Sequence, residues 1–271
     1  MSSDLALRLV PDELWELAEP LIPAFRPRRQ GGGTAAVSDR AVFTAIVYVL
    51  TSGCAWRHLP AEFGVSVPTA HRRFSTWTRA GLWPRLHRAV LDELGARGQV
   101  DWASAIVDAA VVRAKRGTLT GANPVDRGKK GSKLHVLSDA AGLPLVVAVS
   151  AANVHDSQAL KPLLMALPAI RSRRGPRRRR PVKMRADKAY HSAEHRTWLR
   201  RRRIVPRIAR PGIESGERLG QHRWVIERTL AWLLGYRRLT IRYERHGHLF
   251  NAFLVLAAAI TCYKKLTKRP T

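Results

Sequence analysis

An acidic residue stands in the middle of a short apolar segment, Ala105–Val112, in which every other side chain is alanine, valine or isoleucine. A segment this short and this rich in β-branched residues is typical of a central strand that is buried on both faces of a sheet. Burying an unpaired carboxylate costs several kcal/mol. We therefore expect Asp108 to lie beside a core arginine or a metal ion.

The segments that follow this strand predict further strands alternating with helices. A hairpin is expected around a turn at residues 139–142, and a later strand is expected to end at Asp187. The predicted elements are, in order, strands at 133–138 and 145–150, a helix at 156–167, a strand at 182–186, a helix at 192–202, an edge strand at 204–206, a glycine-rich connection at 211–220, and helices at 222–234 and 249–263. This order indicates a mixed α/β sheet.

The first hundred residues predict a small all-α domain. Apolar side chains recur at helical spacing after Ser38, which can cap a helix that Gly53 ends. The segment 62–77 has a short helix, a glycine turn and a serine-capped second helix, a pattern typical of a helix-turn-helix. Arg72 and Arg73 on the second helix are candidates for DNA contact. Plain helical packing is an equally good interpretation of this segment.

Basic residues are concentrated in the second part of the chain. The whole chain has 48 Lys and Arg against 20 Asp and Glu, a net charge of +28. Residues 1–101 hold 12 Arg and 10 acidic residues, a balance of +2, which leaves 36 basic and 10 acidic residues, or +26, for residues 102–271. We therefore predict two domains with these boundaries and a polyanionic partner such as DNA. Solubility alone would not need this asymmetry.

An arginine-rich run lies within the basic half. Residues 171–180 include seven arginines in ten positions, so this run cannot belong to a core. Its last four members, Arg177, Arg178, Arg179 and Arg180, are candidates for binding several phosphates, which would make DNA binding strongly dependent on salt. A disordered basic loop in the free protein is the alternative.

The ten acidic residues of the basic half divide into two groups. Seven have an ordinary explanation as turn, helix-cap or loop residues, namely Asp126, Asp139, Asp156, Glu194, Glu214, Glu217 and Glu244. Three remain: Asp108, Asp187 and Glu227. We expect Glu227 on the buried face of its helix, because it shares that face with Leu230 and Leu234.

These three carboxylates are candidate metal ligands. Taken singly, Asp108 could pair with a core arginine, Asp187 could cap the next turn, and Glu227 could pair with Arg223 one helical turn away. If they converge, they repel one another unless divalent cations lie between them. Oxygen ligands suit Mg²⁺ or Mn²⁺, and two such ions about 4 Å apart would support phosphoryl transfer at a phosphodiester.

Two further features bear on location. Cys54 and Cys262 have no motif spacing, which fits a reducing cytoplasm and argues against zinc. The apolar run Leu249–Tyr263 is too short to span a bilayer, and the N-terminal segment has no signal-peptide pattern. We expect a cytoplasmic protein without a membrane partner.

Several motifs together resemble the DDE transposases of bacterial insertion sequences, specifically the Insertion Sequence Five group within the Insertion Sequence Four superfamily. The resemblance covers nearly the whole chain. The motifs are Leu14-Trp15 to Pro23, Ser52 to Pro60, Ile106-Val107-Asp108, Lys129 to His135, Ala152 to Ser157, Ala186 to Tyr190, and Arg223 to Trp232. The wider signature around the glutamate is only partly present, because its Tyr and Lys positions are Gly220 and Leu234 here.

The resemblance implies a ribonuclease H-like catalytic domain, preceded by the helical DNA-binding module. Its first and fourth strands would carry Asp108 and Asp187, and a late helix would carry Glu227. It also implies binding to the terminal inverted repeats of a mobile element, cleavage at its ends, joining of 3′-hydroxyls to target DNA, and assembly of two or more subunits on paired ends. Arg223 matches the family's basic position, and Lys188 and Tyr190 are further candidates for contact with DNA.

Two other functions remain as alternatives. The first is a non-catalytic DNA-binding protein, either a regulator that uses the helix-turn-helix or a transposase that has lost activity. A plain metal-dependent endonuclease would cut DNA without joining it. Trp224 and Trp232 are expected in the core rather than as stacking platforms for bases.

Overall fold

The computed structural model describes residues 2–24, 37–209 and 216–267, with residues 2, 3 and 216–223 described by their backbone alone. The helices are α1 Ser2–Leu9, α2 Asp12–Ala18, α3 Asp39–Ser52, α4 Val67–Arg79, α5 Leu82–Ala96, α6 Ser157–Ala166, α7 Ala193–Arg201, α8 Gly216–Leu234 and α9 Gly247–Leu266. The strands are β1 Ala105–Ala114, β2 Gly121–Ala122, β3 Lys130–Asp139, β4 Pro144–Ala151, β5 Lys183–Ala186, β6 Val205–Ile208 and β7 Ile241–Arg242.

The strands form one mixed sheet, as predicted. Its five longer strands lie in the order β4, β3, β1, β5, β6, with the two-residue strands β2 and β7 paired to β3 and β1. The hairpin of β3 and β4 is antiparallel, β3 is antiparallel to β1, and β1, β5 and β6 are parallel. Counted among the longer strands, β1 is the first along the chain and β5 the fourth. The predicted strand positions of Asp108 and Asp187 are therefore confirmed.

The helical N-terminal part confirms α3 and modifies the predicted helix-turn-helix. The Ser38 hydroxyl accepts a hydrogen bond from Ala41 N, and Gly53 ends α3 with a φ of 71°. In the segment 62–77, the first helix is only the 3₁₀ turn Ala61–Phe63, followed by Gly64 and α4. Ser66 precedes α4, but its hydroxyl bonds to Thr69 Oγ1 at 3.0 Å instead of to the backbone.

Helix α9 is the central core helix. By length and composition alone it could cross a membrane, but 83% of its most apolar window is buried against the rest of the protein. It packs on α5 and on β4, and the Phe253 ring stacks on Phe74 of α4 with centroids 4.3 Å apart. The buried apolar side chains of residues 1–101 and 102–271 consequently belong to one continuous cluster.

Helix α8 begins earlier than predicted. It starts at Gly216 rather than at His222, so residues 216–220 of the predicted glycine-rich connection are helical. Residues 211–215 of that connection lie outside the described residues. The short strands β2 and β7 had no counterpart in the prediction, since two residues carry no periodicity.

Candidate active site

Asp108 and Asp187 occupy equivalent places on neighbouring parallel strands. Ile106 of β1 is in register with Arg185 of β5. Asp108 lies two residues after Ile106 within β1, and Asp187 lies two residues after Arg185, directly beyond the end of β5. Because side chains alternate between faces, both aspartates are on the same face as this pair. Both are half-buried. The sheet therefore brings together two of the three predicted carboxylates.

Backbone N–H groups orient both carboxylates. Asp108 Oδ1 accepts from the N–H of Ala109 at 2.8 Å. Asp187 Oδ1 accepts from the N–H of Ala189 at 2.9 Å and so caps the 3₁₀ turn Lys188–Tyr190. The cap considered as an alternative role for Asp187 is thus observed, and it fixes the carboxylate beside Asp108.

The Tyr190 side chain lies among the carboxylates and is only 1% exposed. Burial raises the pKa of its phenol, and the negative charges of Asp156, Asp108 and Asp187 raise it further. Its hydroxyl has no hydrogen-bond partner within the part of the chain that the structure describes. The predicted contact of Tyr190 with DNA is therefore wrong for this conformation, because the ring is packed inside. Lys188 is exposed, so its predicted DNA contact stays open.

A third carboxylate, Asp156, is close enough to Tyr190 for its charge to raise the pKa of that phenol. It precedes α6, where we predicted a helix cap, but its side chain makes no cap hydrogen bond. Instead, Lys133 Nζ lies 2.8 Å from Asp156 Oδ1 and also donates to Val154 O at 2.7 Å. The cap prediction for Asp156 is wrong because the buried ammonium of Lys133 competes for the carboxylate.

His135, two residues after Lys133 on β3, is also buried near Asp156. Burial lowers the pKa of His135 to about 4, partly offset by Asp156 and reinforced by Lys133. The ring is therefore neutral near pH 7, with Nε2 at 2.7 Å from Ser150 Oγ. It points to the opposite face from Asp108, because Ala109 is its direct partner on β1 whereas Asp108 faces Val136. Lys133 and His135 were not among the predicted site residues. Two polar residues at i, i+2 in a buried strand do indicate a polar cluster on one face of that strand.

Glu227 differs from the prediction. Its side chain is exposed, because the buried side of α8 is formed by Val225, Ile226, Thr229, Leu230 and Leu233. Within residues 2–24, 37–209 and 216–267, no three His, Cys, Asp or Glu side chains are close enough to hold a metal ion. Glu227 is thus not assembled with the two aspartates in this conformation, and its role as a ligand stays a prediction.

The surface of α8 beside Glu227 is aromatic and basic. Trp224 is 51% exposed, so its predicted place in the core is wrong. The Arg228 guanidinium lies 4.4 Å from the Trp224 ring centroid and 4.7 Å from that of Trp232. The side chain of Arg223, predicted to bind DNA, lies outside the described residues.

The remaining DNA-binding candidates divide by exposure. Arg72 is exposed, but Arg73 is buried, 3.2 Å from Asp39 and stacked over Trp77, so the predicted DNA contact of Arg73 is wrong. All four candidates of the arginine-rich run are exposed. Within that run, Arg177 pairs with Asp92 at 2.8 Å, Arg178 lies over Trp102, Arg179 donates to Met165 O, and Arg180 is exposed.

The chemistry of this site is that of hard oxygen donors in a basic surrounding. Two half-buried carboxylates side by side favour a divalent cation, since their mutual repulsion must be offset. Oxygen donors of this type select Mg²⁺ or Mn²⁺ over softer metals. The donor set of Asp108 and Asp187 therefore fits such an ion.

Family models and a sequence relative both match this chain to transposases. The family model described as "Transposase DDE domain" matches residues 104–262, and the one described as "Putative transposase of IS4/5 family" matches residues 10–87. A Burkholderia cepacia protein, "Putative transposase for insertion sequence element IS402", is 46% identical over 149 residues, which cover 55% of this chain and 71% of the relative. A second B. cepacia protein, "Insertion element IS402 uncharacterized 16.2 kDa protein", is 46% identical over 112 residues, which cover 41% of this chain and 76% of that relative.

Among solved structures, a chain of the Mos1 strand transfer complex aligns with 91% of this chain. The aligned part makes up 83% of the Mos1 chain. The overlap has a TM-score of 0.27 and 13% sequence identity, too loose for a comparison of the sites.

Proposed function

The chain belongs to the DDE transposases of the IS4/5 family, and from this premise we propose that it mobilises its own insertion sequence. It binds the terminal inverted repeats as double-stranded DNA, cuts the DNA at those ends and joins the liberated 3′-hydroxyls to target DNA. The observation that carries the proposal is the alignment of Asp108 and Asp187 on adjacent parallel strands.

Family membership implies a divalent metal ion, and Asp108 and Asp187 would hold it, with Glu227 as the proposed third ligand. When bound, two Mg²⁺ or Mn²⁺ ions would activate the attacking oxygen and stabilise the leaving oxygen of a phosphodiester. Glu227 would have to approach from the exposed side of α8, because its side chain is directed away from that helix's buried face.

The protein's own residues hold the site in shape. The N–H groups of Ala109 and Ala189 fix one oxygen of each aspartate, so the carboxylates need little reorganisation. Lys133 neutralises Asp156, which keeps a third negative charge from adding fully to the repulsion. The buried ring of Tyr190 lies near these carboxylates, whose charges help to raise the pKa of its phenol.

The basic surroundings suit a polyanionic substrate. With a balance of +26 over residues 102–271, the field of this part attracts DNA and makes the association dependent on salt. We propose that two or more subunits assemble on paired ends, in the bacterial cytoplasm.

The test uses the full-length protein, Mg²⁺ and a duplex that carries the inverted repeats flanking its gene. We expect cut strands and joined products from the natural protein. Asp108→Asn and Asp187→Asn should lower both by more than about 100-fold, the loss that even an outer partner of a metal ligand can cause.

Asp126→Asn is the matched control, because Asp126 lies in a loop and its ion pairs with Lys129 and Arg113 are at the surface. It should keep activity. Undiminished activity in Asp108→Asn would overturn the assignment of the site. Cutting without joining would indicate a plain endonuclease, and binding without cutting would indicate a regulator.

A further inference from the structure

Two arginines face each other on the edge strand β6 and its neighbour β5. Arg185 of β5 is in direct register with Arg207 of β6, so their side chains leave the sheet on the same face. The alternating residues Met184, Ala186 and Ile208 are buried on the other face. Arg185 is half-buried and Arg207 exposed, so this face of β5 and β6 carries two guanidinium groups.

The two guanidinium groups have no acidic partner in the part of the chain that the structure describes. Arg185 Nε is buried and makes no hydrogen bond with any described group. Like charges directly opposite each other on neighbouring strands are destabilising. A bound anion would remove this repulsion and satisfy the buried Nε.

The position of the pair relates it to the aspartates. Arg185 precedes Asp187 by two residues on the same face, and its neighbour Ile106 precedes Asp108 by two residues. Two residues of a strand span about 7 Å. An anion held by the arginines would therefore lie beside, and not between, the two carboxylates. Guanidinium groups bind phosphate through paired hydrogen bonds, which makes phosphate the fitting anion.

We propose that Arg185 and Arg207 together bind one backbone phosphate of the DNA strand, next to the phosphate that lies at Asp108 and Asp187. The proposal rests on the proposed function, since it needs a DNA strand in the site. The pair is a positioning element, which sets the DNA strand in register with the carboxylates.

The test measures binding of the full-length protein to the duplex with flanking repeats, with Ca²⁺ in place of Mg²⁺ so that the DNA stays uncut. Arg185→Gln and Arg207→Gln should each weaken binding about tenfold or more, the effect of losing a hydrogen bond to a charged group. Each should also reduce the slope of log affinity against log salt by about one. The double variant should lose little beyond either single variant, because both side chains bind the same phosphate.

A second arm maps the phosphate. Single methylphosphonates, which carry no charge, are placed along the strand near the cut. One of them should weaken binding of the natural protein and have no effect on Arg185→Gln. The matched control is Arg201→Gln, which removes an exposed arginine from α7, and it should keep the sensitivity at that position. Circular dichroism checks the fold, and Arg207→Gln, at an exposed position, is the variant least able to disturb it.

Several outcomes would overturn the proposal. These are additive losses in the double variant, a salt slope that does not change, or an effect of Arg201→Gln equal to that of Arg207→Gln. Thermal stabilisation of the natural protein by inorganic phosphate alone, lost in Arg185→Gln, would instead identify a site for free phosphate. If the natural protein cuts DNA and these effects are absent, the proposed function stands without the arginine pair. If the natural protein does not bind the duplex, the proposed function is wrong, and the proposal for the arginine pair is wrong with it.

Discussion

Arg238 and Glu244 form a buried ion pair, with 2.5 Å between Arg238 Nη2 and Glu244 Oε1 and both side chains 5% exposed. Arg238 Nη1 also donates to the carbonyl of Cys54 at 2.7 Å. The pair therefore connects the segment between α8 and α9 with the residues that follow α3 in the helical N-terminal part. Through it, the placement of the late helices depends on residues that are more than a hundred positions earlier in the sequence.

Glu244→Ala should destabilise the protein by about 3–5 kcal/mol, because it leaves the Arg238 charge buried without a counterion. Urea unfolding followed by circular dichroism measures the change. Glu194→Ala is the control, since Glu194 is an exposed partner of Lys161 and its loss should have no measurable effect. Equal stability of the two variants would show that the buried pair contributes nothing.

Asp139 predicts a pH dependence of stability. Burial raises the pKa of Asp139 from 3.8 to about 6, although the N–H groups of Asp101, Leu143 and Ala141 oppose the rise. A carboxyl with a raised pKa stabilises the fold when protonated, and this contribution is lost as pH rises through the folded-state pKa. The free energy of unfolding should therefore fall by about 2 kcal/mol through this group between pH 4 and pH 7.

Asp139→Asn isolates this contribution, because the amide cannot ionise. The stability of the natural protein minus that of the variant should decrease across this pH range, measured by urea unfolding at several pH values. A difference that is constant with pH would contradict the raised pKa.

The sequence predicted the sheet because its signals were local. A buried strand with one acidic residue identified β1 and Asp108, and the short strand before Asp187 identified β5. The end of α3 was also predictable, since only glycine adopts the positive φ of Gly53 readily. These features depend on a few neighbouring residues.

Contacts between distant segments were not predictable from local patterns. Asp156 has the position of a helix cap, yet the ammonium of Lys133, 23 positions earlier, binds it. Glu227 shares one side of α8 with two leucines, but the helix is buried on the neighbouring side, so spacing alone chose the wrong face. Arg73 looked like a surface residue of a DNA-binding helix because Asp39, its partner, is on another helix.

Tyr190→Phe should stabilise the protein in metal-free buffer by about 1 kcal/mol. The Tyr190 hydroxyl is buried without a hydrogen-bond partner among the described residues, and removing such a group relieves its desolvation. Thermal and urea unfolding measure the change. Tyr263→Phe removes a hydroxyl that lies 3.4 Å from Glu13 Oε2, and it should be neutral or slightly destabilising. A less stable Tyr190→Phe would mean that the hydroxyl has a partner after all.

Arg72 and Arg73 are adjacent in sequence but should respond differently to the same substitution. Arg73→Gln should lower the free energy of unfolding by about 1–3 kcal/mol, because it leaves Asp39 without its buried partner and uncovers Trp77.

Arg72→Gln should leave stability unchanged, since Arg72 is exposed, and it should weaken DNA binding while reducing the salt slope by about one. Urea unfolding and a gel-shift titration of both variants provide the two measurements. If Arg72→Gln binds DNA as tightly as the natural protein, α4 is a packing helix and the helical module contacts DNA elsewhere or not at all.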